Sequence, residues 1–224
     1  MKFKLMSLLT SCLLLGSIIC GYSQGLPKPF SILPQPKKVE VQNGQFLQPE
    51  KLDHISLQGD FNMPALGPGL SKLPVSGIPG KGAVNLILDK SCNAVRSDEG
   101  YQLTITKDRV TIRAKAEAGL FYACQSLEQL LEDANTYKKP LPACVITDQP
   151  ALAYRAVHFD VKHHLDHMNY YYQSIDRLAR YKINAIVFEY EDKLRYQRQP
   201  LVGAPQSISI DEMAALTNYA RKRN

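Results

Sequence analysis

No tryptophan occurs among the 224 residues, so a stacking platform built on an indole is excluded from this chain. Cysteine is scarce too. Of five, Cys12 and Cys20 fall in an N-terminal apolar stretch, which leaves Cys92, Cys124 and Cys144 for the fold. An odd, sparse set is no disulfide framework, and no pair has the CxxC spacing of a zinc site. Cys124 and Cys144 are better explained as small buried hydrophobes. The histidines form no HExxH or similar helical pair, and strand alternation points His158 and His163 to opposite faces, so no metal and no cofactor is expected. The lysines and arginines are scattered. No basic stripe with interleaved aromatics exists, which excludes a nucleic-acid partner and leaves the formal charge of +6 as a mildly basic, solvated surface. No internal repeat is visible.

Long apolar runs are also missing. The longest, from about Leu5 to Cys20, is broken by Ser7, Thr10, Ser11, Gly16 and Ser17, too short and interrupted for a membrane span. Lys2 and Lys4 precede it, and Gly21-Tyr22-Ser23 sets small residues at −3 and −1 of a cut before Gln24. This is the pattern of a secretory signal peptide over residues 1–23, with the mature chain periplasmic or secreted. Its removal leaves 25 basic residues against 21 acidic ones, a mature charge of +4. A lipid anchor is the alternative: Cys20 follows Ile19, too bulky for the usual lipobox, while Cys12 follows Leu9-Thr10-Ser11, which fits better but shortens the apolar run.

Residues 24–149 have the pattern of an α+β domain. LPKPFSILPQP (26–36) holds four prolines and is extended. Val39 and Val41 alternate with polar residues, Asn43-Gly44 is a hairpin signal, and Phe46 resumes an apolar run. Residues 60–82, rich in Gly and Pro, form irregular loop, and 83–88 a strand. Tyr101, Leu103 and Ile105 alternate, Lys107-Asp108 make a turn, and Val110, Ile112 and Ala114 alternate back. From Glu117 to Glu132 a stripe of Leu120, Cys124, Leu127, Leu130 and Leu131 predicts one packed helix over an antiparallel sheet.

After Asp148-Gln149-Pro150 the pattern changes. Residues 156–161 predict a strand and 166–181 a helix with Tyr171, Ile175, Leu178 and Ala179 on one face. Residues 183–190 are nearly continuous and apolar, as a strand buried on both faces is. Residues 207–224 form a second helix, with a Ser209/Glu212 capping box, an inner stripe of Met213, Leu216 and Ala220, and Arg221-Lys222-Arg223 at the end the helix dipole favours for cations. The order β-α-β-α over 150–224 is the start of a parallel α/β fold. Two strands cannot close a (β/α)8 TIM barrel, which takes about 250 residues, so the expectation is a truncated one.

Three stretches resemble family 20 glycoside hydrolases, the β-N-acetylhexosaminidases. ILPQPKKVEVQNGQF resembles the opening strands of the family's small front domain, EAGLFYACQSLEQLL that domain's helix, and ITDQPALAYRAVHFDVKHH the crossing into the first barrel strand. Standard members carry a His-Trp-His-rich second strand and an Asp-x-x-Arg-His first strand. Here FEYEDKLRY (Phe188 to Tyr196) and Phe159-Asp160-Val161-Lys162 resemble the hexosaminidase D branch instead, and His163 stands where the standard branch has its arginine. The resemblance implies an enzyme that removes terminal N-acetylglucosamine or N-acetylgalactosamine from glycans by a retaining mechanism. The sugar's own 2-acetamido group attacks, supported by an Asp-Glu pair after the fourth barrel strand, so no catalytic residue is expected in this chain. Asp211-Glu212 is one such pair here, and it sits in a helix-capping sequence. Similar front domains precede O-GlcNAcase-like and α-glucuronidase-like barrels, so another such glycosidase is the alternative, as is a carbohydrate-binding or inert product.

Function in such barrels gathers at the carboxyl ends of the strands. Two clusters fall there: Asp160, Lys162 and His163, then Glu189, Glu191 and Asp192, with alternation placing Glu189 and Glu191 on one face and Asp192 on the other. Carboxylates there accept hydrogen bonds from sugar hydroxyls. They suit salt bridges with Lys162, Lys193 or Arg195 equally. Arg155 resembles the arginine that grips sugar hydroxyls in standard members, and an ordinary ion pair is its other reading. Arg155, Asp160, Glu189, Glu191 and Asp192 are thus the candidate substrate contacts.

Overall fold

The computed structural model describes residues 25–223. The expected leader and its expected cut at Ser23-Gln24 lie outside the described residues. Seven strands form one mixed sheet: β1 (Lys38–Leu47), β2 (Ile55–Gln58), β3 (Val75–Ser76), β4 (Val84–Leu88), β5 (Tyr101–Ile105), β6 (Val110–Ala114) and β7 (Leu141–Asp148). Their order across the sheet is β1-β7-β5-β6-β4-β2-β3. The alternation at 101–105 and 110–114 produces the expected antiparallel hairpin, with Leu103 opposite Ile112. Tyr101, Leu103, Ile105, Val110, Ile112 and Ala114 all turn inward and are buried.

That inward face is covered by helix α1 (Glu117–Tyr137), whose Leu120, Cys124, Leu127 and Leu130 share one core with Leu103 and Ile112. Each such leucine or isoleucine contributes roughly 1.5–3 kcal/mol by leaving water. The helix outruns its expected end at Glu132 because Ala134, also buried, continues the stripe one turn past Leu130. Lys138, left-handed at φ 52°, then ends it. The helix can approach the sheet this closely because residue 119 is glycine. A Cβ there would lie 2.2 Å from the Gly100 carbonyl oxygen and 2.7 Å from the Ala114 Cβ.

The sheet is mixed rather than antiparallel as expected, because β4 pairs in parallel with both β2 and β6, a choice of neighbour that local alternation does not encode. Two further expectations about it fail. Asn43-Gly44 makes no hairpin: β1 runs through it, and both Val41 and Phe46 pair with β7, opposite Cys144 and Pro142. The intervening residues form a bulge, with Gly44 at φ 76°. A glycine supplies positive φ to a bulge as readily as to a turn, and the two are indistinguishable by composition. The second miss is β7 itself, a central strand between β1 and β5. Pro142 tolerates that position because the pairing with β5 starts only at Cys144.

Beyond the sheet lie β8 (Ala156–Asp160), α2 (Met168–Arg180), β9 (Ala185–Glu189) and α3 (Ile210–Arg221). β8 and β9 pair in parallel, from Ala156 opposite Ala185 to Asp160 opposite Glu189. Tyr171, Ile175 and Ala179 form the buried stripe of α2. Tyr171 makes edge contacts with Phe159 and Phe188 at 6.0 and 5.2 Å between centroids. Tyr172, next to it, packs edge-on against Tyr219 of α3 at 4.7 Å, while Tyr170 is exposed. Ser209 and Glu212 form the expected capping box of α3. Among the described residues, helices cover one face of β9. Val187 and His158 stand on the other, with Val187 45% exposed, because α2 and α3 both lie on one side of the pair.

Candidate functional site

The amino ends of β8 and β9 are anchored to the sheet by buried polar groups. Lys182, in the turn between α2 and β9, adopts φ 62° and sends its ammonium 2.8 Å from Asp148 Oδ2 and 2.9 Å from the Tyr101 hydroxyl. Tyr101 also lies 2.6 Å from Ser126 Oγ on α1. Burial pulls the Lys182 ammonium below its ordinary pKa while the adjacent Asp148 charge opposes that, and burial followed by the Asp148 charge drives the Tyr101 phenol well up. Beside this group, Asn184 donates to Glu99 Oε1 at 2.8 Å and accepts from the Arg155 N–H at 2.9 Å.

Arg155 belongs to this anchor. Its guanidinium donates to the carbonyls of Lys182 and Leu152, both at 2.7 Å, and ion-pairs with Glu99. Its ring-facing approach to Tyr122 is 5.6 Å. It precedes β8, whereas Asp160 and Glu189 end β8 and β9, so the strands separate it from the acidic cluster. The ion-pair reading of Arg155 is the one the geometry shows.

At the opposite, carboxyl end the parallel register brings Asp160 and Glu189 side by side. The Lys162 ammonium lies 3.1 Å from Glu189 Oε1 and 3.3 Å from Asp160 Oδ2. The other Glu189 oxygen, Oε2, is 2.8 Å from His158 Nε2. His158 and Asp160 share a strand face two residues apart, which alternation requires. Hydrogen bonds that the ammonium donates to Glu189 and then to Asp160 raise the Lys162 pKa. Partial burial pushes the Asp160 carboxyl up, but the Lys162 N–H, the Lys162 ammonium and the His163 charge outweigh it and hold it below the usual carboxylate range. All four side chains remain open to solvent, from 28% for Lys162 to 52% for His158.

Glu191 and Asp192 follow the rim but not as alternation predicts. The strand stops at Glu189, and Glu191–Lys193 form a 3-10 turn entered through Glu191 at φ 38°. Face alternation therefore does not extend to them. Asp192 accepts from Lys193 Nζ at 2.6 Å, and its carbonyl accepts from the Ala204 N–H at 2.7 Å. The Glu191 carbonyl accepts from the Tyr196 hydroxyl at 2.7 Å. Sequence reasoning weighed His158 only as a metal ligand and overlooked its contact with Glu189. The shared face of residues 158 and 160 was the available signal. The anchor of Lys182, Asp148, Tyr101 and Ser126 left no signal, because its members are far apart in sequence.

Comparison with known proteins fits this architecture. A family model described as glycosyl hydrolase family 20, domain 2 matches residues 30–149, which span the seven-stranded sheet and α1. The chain is similar to β-hexosaminidase B of Pseudoalteromonas piscicida, at 28% identity over 163 residues, covering 72% of this chain and 20% of that protein. Among solved structures it is similar to the family 20 β-N-acetylhexosaminidase of Streptomyces coelicolor, with 26% identity and a TM-score of 0.71 over 86% of this chain and 44% of that one. A Streptomyces plicatus β-hexosaminidase solved with its product GlcNAc is 25% identical, with a TM-score of 0.71 over 89% of this chain and 46% of that one. The chain spans about a fifth of the length of the curated relatives it matches. With the family's second domain matched over more than half of its length, this chain belongs to glycosyl hydrolase family 20.

Proposed function

We propose that the full-length protein is an exported β-N-acetylhexosaminidase that removes terminal N-acetylglucosamine or N-acetylgalactosamine from glycans. In this reading residues 1–23 are the leader, 24–149 the front domain and 150–224 the opening of a (β/α)8 barrel. The observation that carries it is the parallel pairing of β8 and β9 with Asp160 and Glu189 together at their carboxyl ends, directly after a family 20 domain. Barrel enzymes build their sites at that end. Asp160 and Glu189, with Glu191 and Asp192 behind them, supply charged acceptors for sugar hydroxyls. The structural relatives above cover 86% and 89% of this chain, and one of them holds GlcNAc, which supports the substrate class.

The proposed mechanism is retaining and substrate-assisted. The 2-acetamido oxygen attacks the anomeric carbon, an Asp orients the amide and a Glu protonates the leaving oxygen. That pair belongs to a later strand, outside this chain. Asp211-Glu212 does not serve, because Glu212 is spent on the α3 cap. Its carboxylate accepts from the Ser209 N–H at 2.8 Å and from the Ser209 hydroxyl at 2.7 Å, and these bonds hold it below the usual carboxylate range. A general acid needs the opposite shift. Assay of the full-length protein on chromogenic N-acetyl-β-hexosaminides of both epimers is expected to show turnover. Residues 24–224 alone are expected to show none, and turnover by them would place the acid within this chain.

A further inference from the structure

Both oxygens of Glu189 are engaged, one by Lys162 at 3.1 Å and one by His158 at 2.8 Å, while Lys162 also reaches Asp160 Oδ2 at 3.3 Å. The Lys162 backbone N–H donates to Asp160 Oδ1 at 3.2 Å as well, so residue 162 grips Asp160 twice. A carboxylate oxygen has two lone pairs, so each engaged oxygen keeps one for a ligand. Without the ammonium, Asp160 and Glu189, opposite each other in the ladder, would be like charges side by side. Such a pair repels or shares a proton, and a protonated carboxyl is a poorer acceptor. The surrounding charge is one-sided. The carboxylates here, Asp160, Glu189, Glu191 and Asp192, outnumber by two the ammoniums that pair with them, Lys162 and Lys193.

We propose that Lys162 is the positioning residue of the rim: it holds Asp160 and Glu189 as an ionised pair of acceptors for two hydroxyls of a neutral N-acetylhexosamine, and the acidic excess around it excludes sugars carrying sulfate or carboxylate. This rests on the rim being the sugar site proposed above. Residue 162 lies outside the strands, so its side chain acts on the carboxylates and not on the ladder.

The full-length protein is assayed on a chromogenic N-acetylhexosaminide and on its 6-O-sulfated form. Wild type is expected to favour the neutral sugar by at least about tenfold in kcat/KM, because like-charge juxtaposition across a binding site disfavours the anionic one. Lys162→Met is expected to raise KM for the neutral sugar by roughly tenfold with kcat changed little, the signature of lost binding common to ground and transition states. Lys162→Arg restores it. Glu189→Gln keeps the shape and removes one negative charge, so it narrows the preference for the neutral sugar, while Lys162→Met widens it. A merely structural lysine would shift both ratios alike. Lys162→Arg and Glu189→Gln are near-isosteric and carry the test if the methionine variant does not fold. Equal turnover of both sugars by wild type, a methionine variant with wild-type KM, or the same direction of change in both variants overturns the inference while leaving the hydrolase reading standing. Absence of wild-type turnover on either sugar overturns both.

Discussion

A buried ammonium at Lys182 is held by a single carboxylate. Asp148 and Lys182 are each 10% exposed at the side chain, and Tyr101 completes the set at 2.9 Å from the ammonium. Removing one member of such a pair leaves an uncompensated buried charge, which costs more than the pair itself contributes. Lys182→Met is therefore expected to lower unfolding stability by about 3 kcal/mol in urea titration, and pairing it with Asp148→Leu to recover part of that loss. The rim behaves differently because it is solvated. The raised pKa of Lys162 makes its contribution present below the unfolded value of 10.5 and lost as pH rises through the folded one. The lowered pKa of Asp160 makes its contribution present above 3.8 and lost as pH falls through its folded value. The difference in melting temperature between wild type and Lys162→Met is thus expected to be constant between about pH 5 and 9 and to shrink toward both extremes. A difference that persists at strongly alkaline pH would show that packing, not charge, is what residue 162 supplies. The three cysteines of the described residues carry none of this chemistry. They are buried and unpaired, and burial pushes the Cys144 thiol up to about 12.

Among the helices, α1 shows how one small residue sets a layer spacing. Gly119 lies against the Gly100 carbonyl and Ala114, and its N–H donates to the Asp98 carbonyl at 3.1 Å. Gly119→Ala gains helix propensity but must displace backbone on the β5 side, where no flexible side chain can yield. Overpacking of this kind costs about 1–3 kcal/mol, and a thermal melt of the variant is expected to show that loss despite the better helix former. The elements legible in sequence were those with a strict period: the β5–β6 hairpin, the α1 stripe, and the α2 and α3 faces. The elements that misled share one property, dependence on a distant partner. Asn43-Gly44 became a bulge because β7 pairs with β1 on both sides of it. β7 escaped notice because Pro142, with Pro140 just before the strand, argues against a strand until the one-sided pairing at Pro142 is known.

Taken together, the sheet and the β8–α3 unit meet through groups at the amino ends of β8 and β9, and this leaves the carboxyl ends free. Glu99, Asp148, Arg155, Lys182 and Asn184 lock one end, while Asp160, Lys162, His158 and Glu189 stand open at the other. Such an arrangement fixes the direction in which the strands point relative to the front domain without occupying the rim. Covalent order and local period sufficed for the α+β character, the β-α-β-α run and the family resemblance, because each rests on residues within a few turns of one another. The fate of the charged side chains was decided by folding. Arg155 and Asp160 sit five residues apart and looked alike as sugar contacts, yet the strand between them sends one into an interior ion pair with Glu99 and the other to a solvated rim. A charge's role depends on which partner the fold brings within about 4 Å, and Glu99 stands 56 positions from Arg155 and Glu189 27 from Lys162, too far for any local pattern to encode.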